Sequence, residues 1–282
     1  MKTLLSLILL TFTAATITAQ NADNAIKVSV TGSGEPILFL AGFATDGDAV
    51  WKDTVDKLSK TKECHVVNYA GFAGQDSIEF PWLPKVIESI QDYIENKNLK
   101  NLTLIGHSLG GTISMRLATN KEFDIKQLIL VDALPATGAL MMPNFDPELM
   151  KYDSAYNQQM LEMDDGVFAS TITGMATNMT TSDAGKSDLI KWMQTTDRKT
   201  FVYGYTDYLK LDARPYLSEI KTPVTIIAAT MPYGEAAVKS TIKSQFDNLS
   251  EYDLVLAADS AHFIMMDQPE WFLLQIVELV SK

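Results

Sequence analysis

The sequence predicts an α/β fold in which a mostly parallel central sheet carries helices on both faces and receives one helical insertion. Three observations predict it. Short aliphatic runs recur along the 282 residues, helix-spaced apolar segments separate them, and one long interval contains no such run. Runs that are continuously apolar rather than alternating suit strands covered on both faces, which is the pattern of a parallel sheet. Strands that alternate with helices in this way are joined by right-handed crossovers.

Taken in order, the runs fall at 28–30, 36–41, 65–70, 102–105, 127–132, 224–229 and 253–258. Between the second and third, Trp51, Val55 and Leu58 share one helical face; after Pro81, Trp82, Leu83, Val86, Ile87, Ile90 and Ile94 share another. A helix is expected over 112–118, with Ile113 and Leu117 on one side, and a last one over 269–280. The interval 135–220 has no strand signal and is too long for a bare connection, so it is expected to fold as a helical cap. It divides the core into a first part, 20–134, and a second, 221–282. Met141, Met142, Met150, Met160, Met163, Met175, Met179 and Met193 all lie in it. Methionine adapts to irregular apolar shapes, which suits either an adjustable pocket wall or packing between cap and core.

Bulk composition narrows the function. A chain of 282 residues with 46% hydrophobic content can bury a full core. Its net charge of -12 argues against nucleic-acid partners, which require clustered Lys and Arg. The single cysteine, Cys64, forms no internal disulfide, and no Cys/His spacing suggests a zinc site. Residues 1–19 read as a signal peptide: Met1-Lys2 is basic, Leu4 to Phe12 is mostly apolar, and small residues lead to Ala19 before polar Gln20. Cleavage after Ala19 would make the protein secreted or periplasmic, without stable membrane insertion. An uncleaved anchor is the alternative, but the apolar stretch is short and diluted by Thr.

The chemistry begins in the segment NLTLIGHSLGGTISMRLA, from Asn101 to Ala118. A strand ends there, a helix follows, and Ser108 stands at the turn between Gly106 and Gly110. Such a turn forces strained backbone angles on the serine, and the two glycines remove the side chains that would block close approach of helix and strand. The hydroxyl is pushed out above the sheet, in front of the positive end of the following helix. This is the nucleophile elbow, G-x-S-x-G.

On these residues the chain resembles the α/β-hydrolase superfamily, of the type with a helical cap, over essentially its whole mature length. Serine needs a base to become a good nucleophile. Of three histidines, His65 opens a strand and suits a structural or surface role, His107 packs inside the elbow, and His262 follows the last strand, where the resemblance implies the general base. The resemblance also implies an oxyanion hole from the backbone N–H groups of Leu109 and Phe43, the latter in the loop LAGFATDG. Relatives often carry His-Gly where Ala41-Gly42 stands, which leaves the stiffness of that loop open. Gly71 and Gly74 in NYAGFAGQDS read as turn formers.

The orienting acid is the ambiguous member. Many relatives carry an Asp after the strand that follows the cap, yet PVTIIAATMPYGEAA offers no carboxylate before Glu235. Asp132, at the end of LILVDALP, is preferred, with Glu235 as the alternative; Asp259 and Asp267 lie too close to His262 in sequence to be favoured. Together these residues imply acyl transfer through an acyl-enzyme, from a small, partly apolar ester or related acyl substrate, with no metal or redox cofactor. Dehalogenation is disfavoured because relatives with that activity use an Asp nucleophile. The competing expectation is a non-catalytic member of the fold that binds an apolar ligand or a partner.

Overall fold

A computed structural model of the chain describes residues 25–142 and 144–281; the expected leader, 1–19, lies outside the described residues. Among the described residues, one sheet is built from β1 (Ile26–Gly32), β2 (Glu35–Leu40), β3 (Lys62–Tyr69), β4 (Leu102–His107), β5 (Ile125–Val131), β6 (Val224–Ala229) and β7 (Asp253–Ala257). Its spatial order is β1-β3-β2-β4-β5-β6-β7, with β1 antiparallel to β3 and every other pairing parallel. Each apolar run of the sequence overlaps one of these strands, and the runs 36–41, 65–70, 127–132 and 253–258 extend one residue past the strand end. β4 and β6 are buried at every residue, as continuous runs require of strands covered on both faces. β3 starts earlier than its apolar run, because Glu35 already pairs with Lys62; His65 therefore sits inside the strand rather than opening it.

The helices pack on both faces of this sheet. Trp82–Asn96 buries Trp82, Leu83, Val86, Ile90 and Ile94, the stripe expected from its spacing, while Ile87 is only partly covered. Its N-cap is Pro81, which has no side-chain acceptor to offer. The carboxylate of Asp207 does the capping instead, accepting from Trp82 N–H at 2.8 Å and Leu83 N–H at 3.1 Å. Pro269–Val280 closes the chain with Phe272, Ile276 and Val280 buried. The helix after β4 runs Leu109–Ala118, starting before the expected Thr112. Its first turn, Leu-Gly-Gly, carries no apolar periodicity, so the true start left no mark in the pattern.

Between β5 and β6 the described residues form helices and turns without a strand: Thr137–Met141, Ala155–Glu162, Asp165–Thr177, Asp183–Thr195 and Tyr205–Lys210 are its α-helices. The methionines of this interval do not act as one group. Met160 and Met193 are buried, whereas Met141 is 56% and Met175 36% exposed. Among the described residues no helix is long and apolar enough to cross a membrane.

Strand order decides where chemistry can sit. The chain leaves β2 toward β3 on one side and leaves β4 toward β5 on the other, so the crevice between the carboxyl ends of β2 and β4 is a topological switch point. The loop of Phe43 leaves one side of that crevice and Ser108 leaves the other.

Candidate active site

Ser108 is the residue on which the elbow turns. It has φ 53° and ψ -121°, is almost fully buried, and forms the N-cap of Leu109–Ala118. Its N–H donates to Val131 O at 3.0 Å, which fixes it to the end of β5. The glycines allow this geometry by steric absence. A Cβ on Gly106 would meet Gly110 O at 2.4 Å, and one on Gly110 would meet Leu40 O at 2.1 Å. Backbone carbonyls cannot swing aside as side chains can. Gly110→Ala is therefore expected to cost about 3 kcal/mol, read as a lower urea midpoint with unchanged slope.

His262 follows β7 and reaches back across the sheet. Its Nδ1–H donates to Asp132 Oδ2 at 2.6 Å, while Asp132 Oδ1 accepts from Ala229 N–H at 2.9 Å. Asp132 stands directly after β5 with φ 42°, a left-handed conformation that Asp tolerates better than most residues. Glu235 is elsewhere: it opens the helix Glu235–Gln245, its side chain is 61% exposed, and it pairs with Lys239 in solvent. Of the two carboxylates weighed from sequence, the structure brings Asp132 to the imidazole and leaves Glu235 away from it.

His107 holds the histidine loop from the serine side. It is fully buried, its ring lies 4.6 Å from that of His262, and its Nε2 is 3.0 Å from His262 O. A carbonyl can only accept, so Nε2 carries the proton and Nδ1 is bare. Burial, with the His262 imidazole adding to it, holds His107 well below the ordinary histidine range, which keeps the ring neutral. Among the described residues no direct hydrogen bond joins the Ser108 hydroxyl to His262.

The loop after β2 completes the corner. A Cβ on Gly42 would meet His107 Nδ1 at 2.7 Å and Ser108 Cβ at 3.4 Å, so the backbone before Phe43 lies directly against the elbow. The Tyr69 hydroxyl donates to Ala41 O at 3.3 Å and the Thr45 hydroxyl to Gly42 O at 2.8 Å, two bonds that stiffen the loop where Ala41 left its rigidity open. Among the described residues neither Phe43 N–H nor Leu109 N–H has an acceptor. Two free backbone donors beside a buried hydroxyl can stabilise an oxyanion.

Tyr208 was not legible in the sequence. It comes from Tyr205–Lys210, stacks on Phe43 at 6.4 Å and 13°, and shares a 2.8 Å hydrogen bond with the Thr137 hydroxyl. The hydroxyls of Ser108 and Thr112 also lie against its phenol, and burial pushes its ionisation up, so it remains a donor. Phe43 further touches Phe72, Phe201, Tyr205 and Trp82, an aromatic collar of core and cap rings. Tyr208→Phe keeps the stack and deletes the hydroxyl. A hydrogen bond of about 1.4 kcal/mol to the reacting oxygens predicts a roughly tenfold lower kcat, checked by steady-state ester hydrolysis.

Comparison with known proteins sets this geometry in context. A family model described as alpha/beta hydrolase fold matches residues 35–269. The pimeloyl-[acyl-carrier protein] methyl ester esterase of Vibrio cholerae is 21% identical over 267 residues, covering 92% of this chain and 99% of that protein. Among solved structures, the enol-lactonase from Burkholderia xenovorans LB400 aligns with a TM-score of 0.75 at 15% identity, over 93% of this chain and 99% of that one. An esterase from Exiguobacterium antarcticum aligns at 0.74 with 18% identity, over 91% and 96%. At these identities the structural likeness speaks for fold.

Proposed function

Because the chain belongs to the alpha/beta hydrolase fold family, we propose that it is a serine hydrolase that cleaves a small, partly apolar carboxylic ester through an acyl-enzyme. The observation that carries the reading is the 2.6 Å contact of His262 with Asp132, at the end of the sheet where Ser108 turns out of β4. In this mechanism His262 takes the Ser108 proton as the hydroxyl attacks the carbonyl carbon. Negative charge gathers on the former carbonyl oxygen, where the N–H groups of Phe43 and Leu109 donate. His262 then passes its proton to the departing alkoxide, and the acyl-enzyme forms. Water, deprotonated by the same imidazole, releases the acid and restores Ser108.

The substrate is read as a free ester rather than one carried on a protein. The Vibrio cholerae relative acts, by its name, on an ester borne by an acyl-carrier protein. A phosphopantetheine arm brings a phosphodiester, which calls for free basic groups at the docking face. In the cap interval acidic residues outnumber basic ones; Lys186, Arg198 and Arg214 are paired with Asp183, Asp165 and Asp212, while Lys151, Lys191, Lys199 and Lys210 have no carboxylate partner among the described residues, so the reading leans on the negative balance of the interval and not on the pairing. Export through the leader would likewise deliver the enzyme to free small esters. The non-catalytic alternative drew its force from the missing acid after β6, and the contact of Asp132 with His262 supports the catalytic reading over it.

A fluorophosphonate probe followed by peptide mapping tests the reading, together with a panel of p-nitrophenyl esters from acetate to dodecanoate. Label on Ser108 and turnover favouring the shorter acyl chains are expected. An unlabelled protein, inert across the panel, would overturn the assignment and leave a binding protein. Fractionation of the native host tests export; the protein recovered inside the cytoplasm at full length would refute it.

A further inference from the structure

Asp267 sits just beyond His262 and was set aside as the triad acid, but its carboxylate is heavily used. Its Oδ1 accepts from the Thr180 hydroxyl, from Thr181 N–H at 2.8 Å and from Ser182 N–H at 3.3 Å. Its Oδ2 accepts from Ala261 N–H at 2.7 Å and from the Ser260 hydroxyl at 3.3 Å. The first three donors belong to the turn between the cap helices Asp165–Thr177 and Asp183–Thr195; the last two belong to the loop that carries His262.

Other contacts run along the same seam. Phe263 N–H donates to Met179 O at 3.0 Å, so the residues on both sides of His262 are tied to cap residues 179–182. Gly185, in the first turn of the following cap helix, lies against Met266, where a Cβ would meet the sulfur at 3.0 Å. On the opposite side the His262 carbonyl is held by His107. The loop around the imidazole thus has one clamp on the elbow and one on the cap.

We propose that Asp267 is a positioning residue that couples the seating of the cap turn at Thr180, Thr181 and Ser182 to the placement of the His262 imidazole. The proposal rests on His262 being the general base. The ring must keep Nδ1 on Asp132 while Nε2 faces the serine, and a displacement of about 1 Å is enough to cost on the order of a hundredfold in rate. Burial is the largest influence on Asp267 and opposes its charge, yet the hydrogen bonds from Thr180, Ala261 and Thr181 outweigh it, so the carboxyl is held below its usual range. It stays an anion able to accept from both sides at once. An Asn in its place turns an N–H₂ toward one of the two donor sets and breaks that side.

The test compares the full-length wild type, Asp267→Asn, Thr180→Val and the double variant. Readouts are kcat and KM on a p-nitrophenyl ester, the rate of fluorophosphonate labelling, and the downfield proton resonance of the His262 Nδ1–H held by Asp132. Asp267→Asn is expected to lower kcat and labelling rate by about a hundredfold with KM within about twofold, and to broaden that resonance. Thr180→Val should shift all three the same way by a smaller factor, and the double variant should be no worse than Asp267→Asn, the non-additivity of residues in one network. A sharp, unshifted resonance in Asp267→Asn overturns the proposal, whether kcat is unchanged or falls only with the melting temperature. If Asp267→Asn does not fold, Thr180→Val carries the test on the same criteria. An unlabelled wild type would sink the hydrolase reading, while the resonance comparison would still judge the coupling.

Discussion

Ser108→Ala is expected to lower kcat for a p-nitrophenyl ester by about 10⁶-fold and to abolish fluorophosphonate labelling, with the fold intact. The size follows from what the hydroxyl supplies. Without it no acyl-enzyme forms, and what remains is direct attack by water assisted by the free Phe43 and Leu109 donors and by binding, a residue of rate common to serine hydrolases without their nucleophile. The intact fold follows from local contacts. The Ser108 backbone is anchored through its N–H to Val131 O and through its carbonyl, which accepts from Gly111 and Thr112 N–H at 2.9 and 3.2 Å; none of these needs the side chain. Alanine tolerates φ 53° no worse than serine does, so unfolding free energy should move by less than about 1 kcal/mol. Turnover above roughly a hundredth of wild type in this variant would put the nucleophile elsewhere.

The elements that sequence revealed are those whose cause is local. β4 and β6 are legible because every residue faces a covered side, and Trp82–Asn96 because its stripe repeats at helical spacing. Ser108 is legible for the same reason: strand, glycine turn and helix are contiguous. His262 needed only its position after the last strand. Asp132 could be ranked but not settled, since the contact that distinguishes it from Glu235 spans 130 residues and depends on β5 lying beside β6.

Residues that work between cap and core left no trace. Asp207 caps a helix 125 positions away, Tyr208 stacks on Phe43, and Asp267 joins Thr180 to Ala261. An Asp or Tyr in a polar helix looks like any solvated residue until the opposite surface is known. Asp267 shows the limit well. Nearness in sequence to His262 disfavours it as the orienting acid, and the same nearness places it against the loop that carries the histidine.

Asp132→Asn is expected to lower kcat by about 10⁴-fold, and Glu235→Gln to leave it unchanged within twofold. The two oxygens of Asp132 have different work, one accepting from Ala229 N–H and the other from His262 Nδ1–H. Asparagine has one oxygen for two donors. The Ala229 N–H is fixed in the backbone at the end of β6 and cannot reverse its role, so the amide oxygen goes there and the N–H₂ faces the imidazole. His262 must then accept at Nδ1 and carry its proton on Nε2, which turns a donor toward Ser108 where a base is required. The imidazole stays in place but in the wrong tautomer, and that separates this loss from simple disorder. Exposed Glu235 is paired with Lys239 on its own helix, and its neutralisation removes a surface interaction worth only a few tenths of a kcal/mol. Near-normal turnover in Asp132→Asn with collapse in Glu235→Gln would reverse the assignment and require the loop after β6 to fold inward on the histidine.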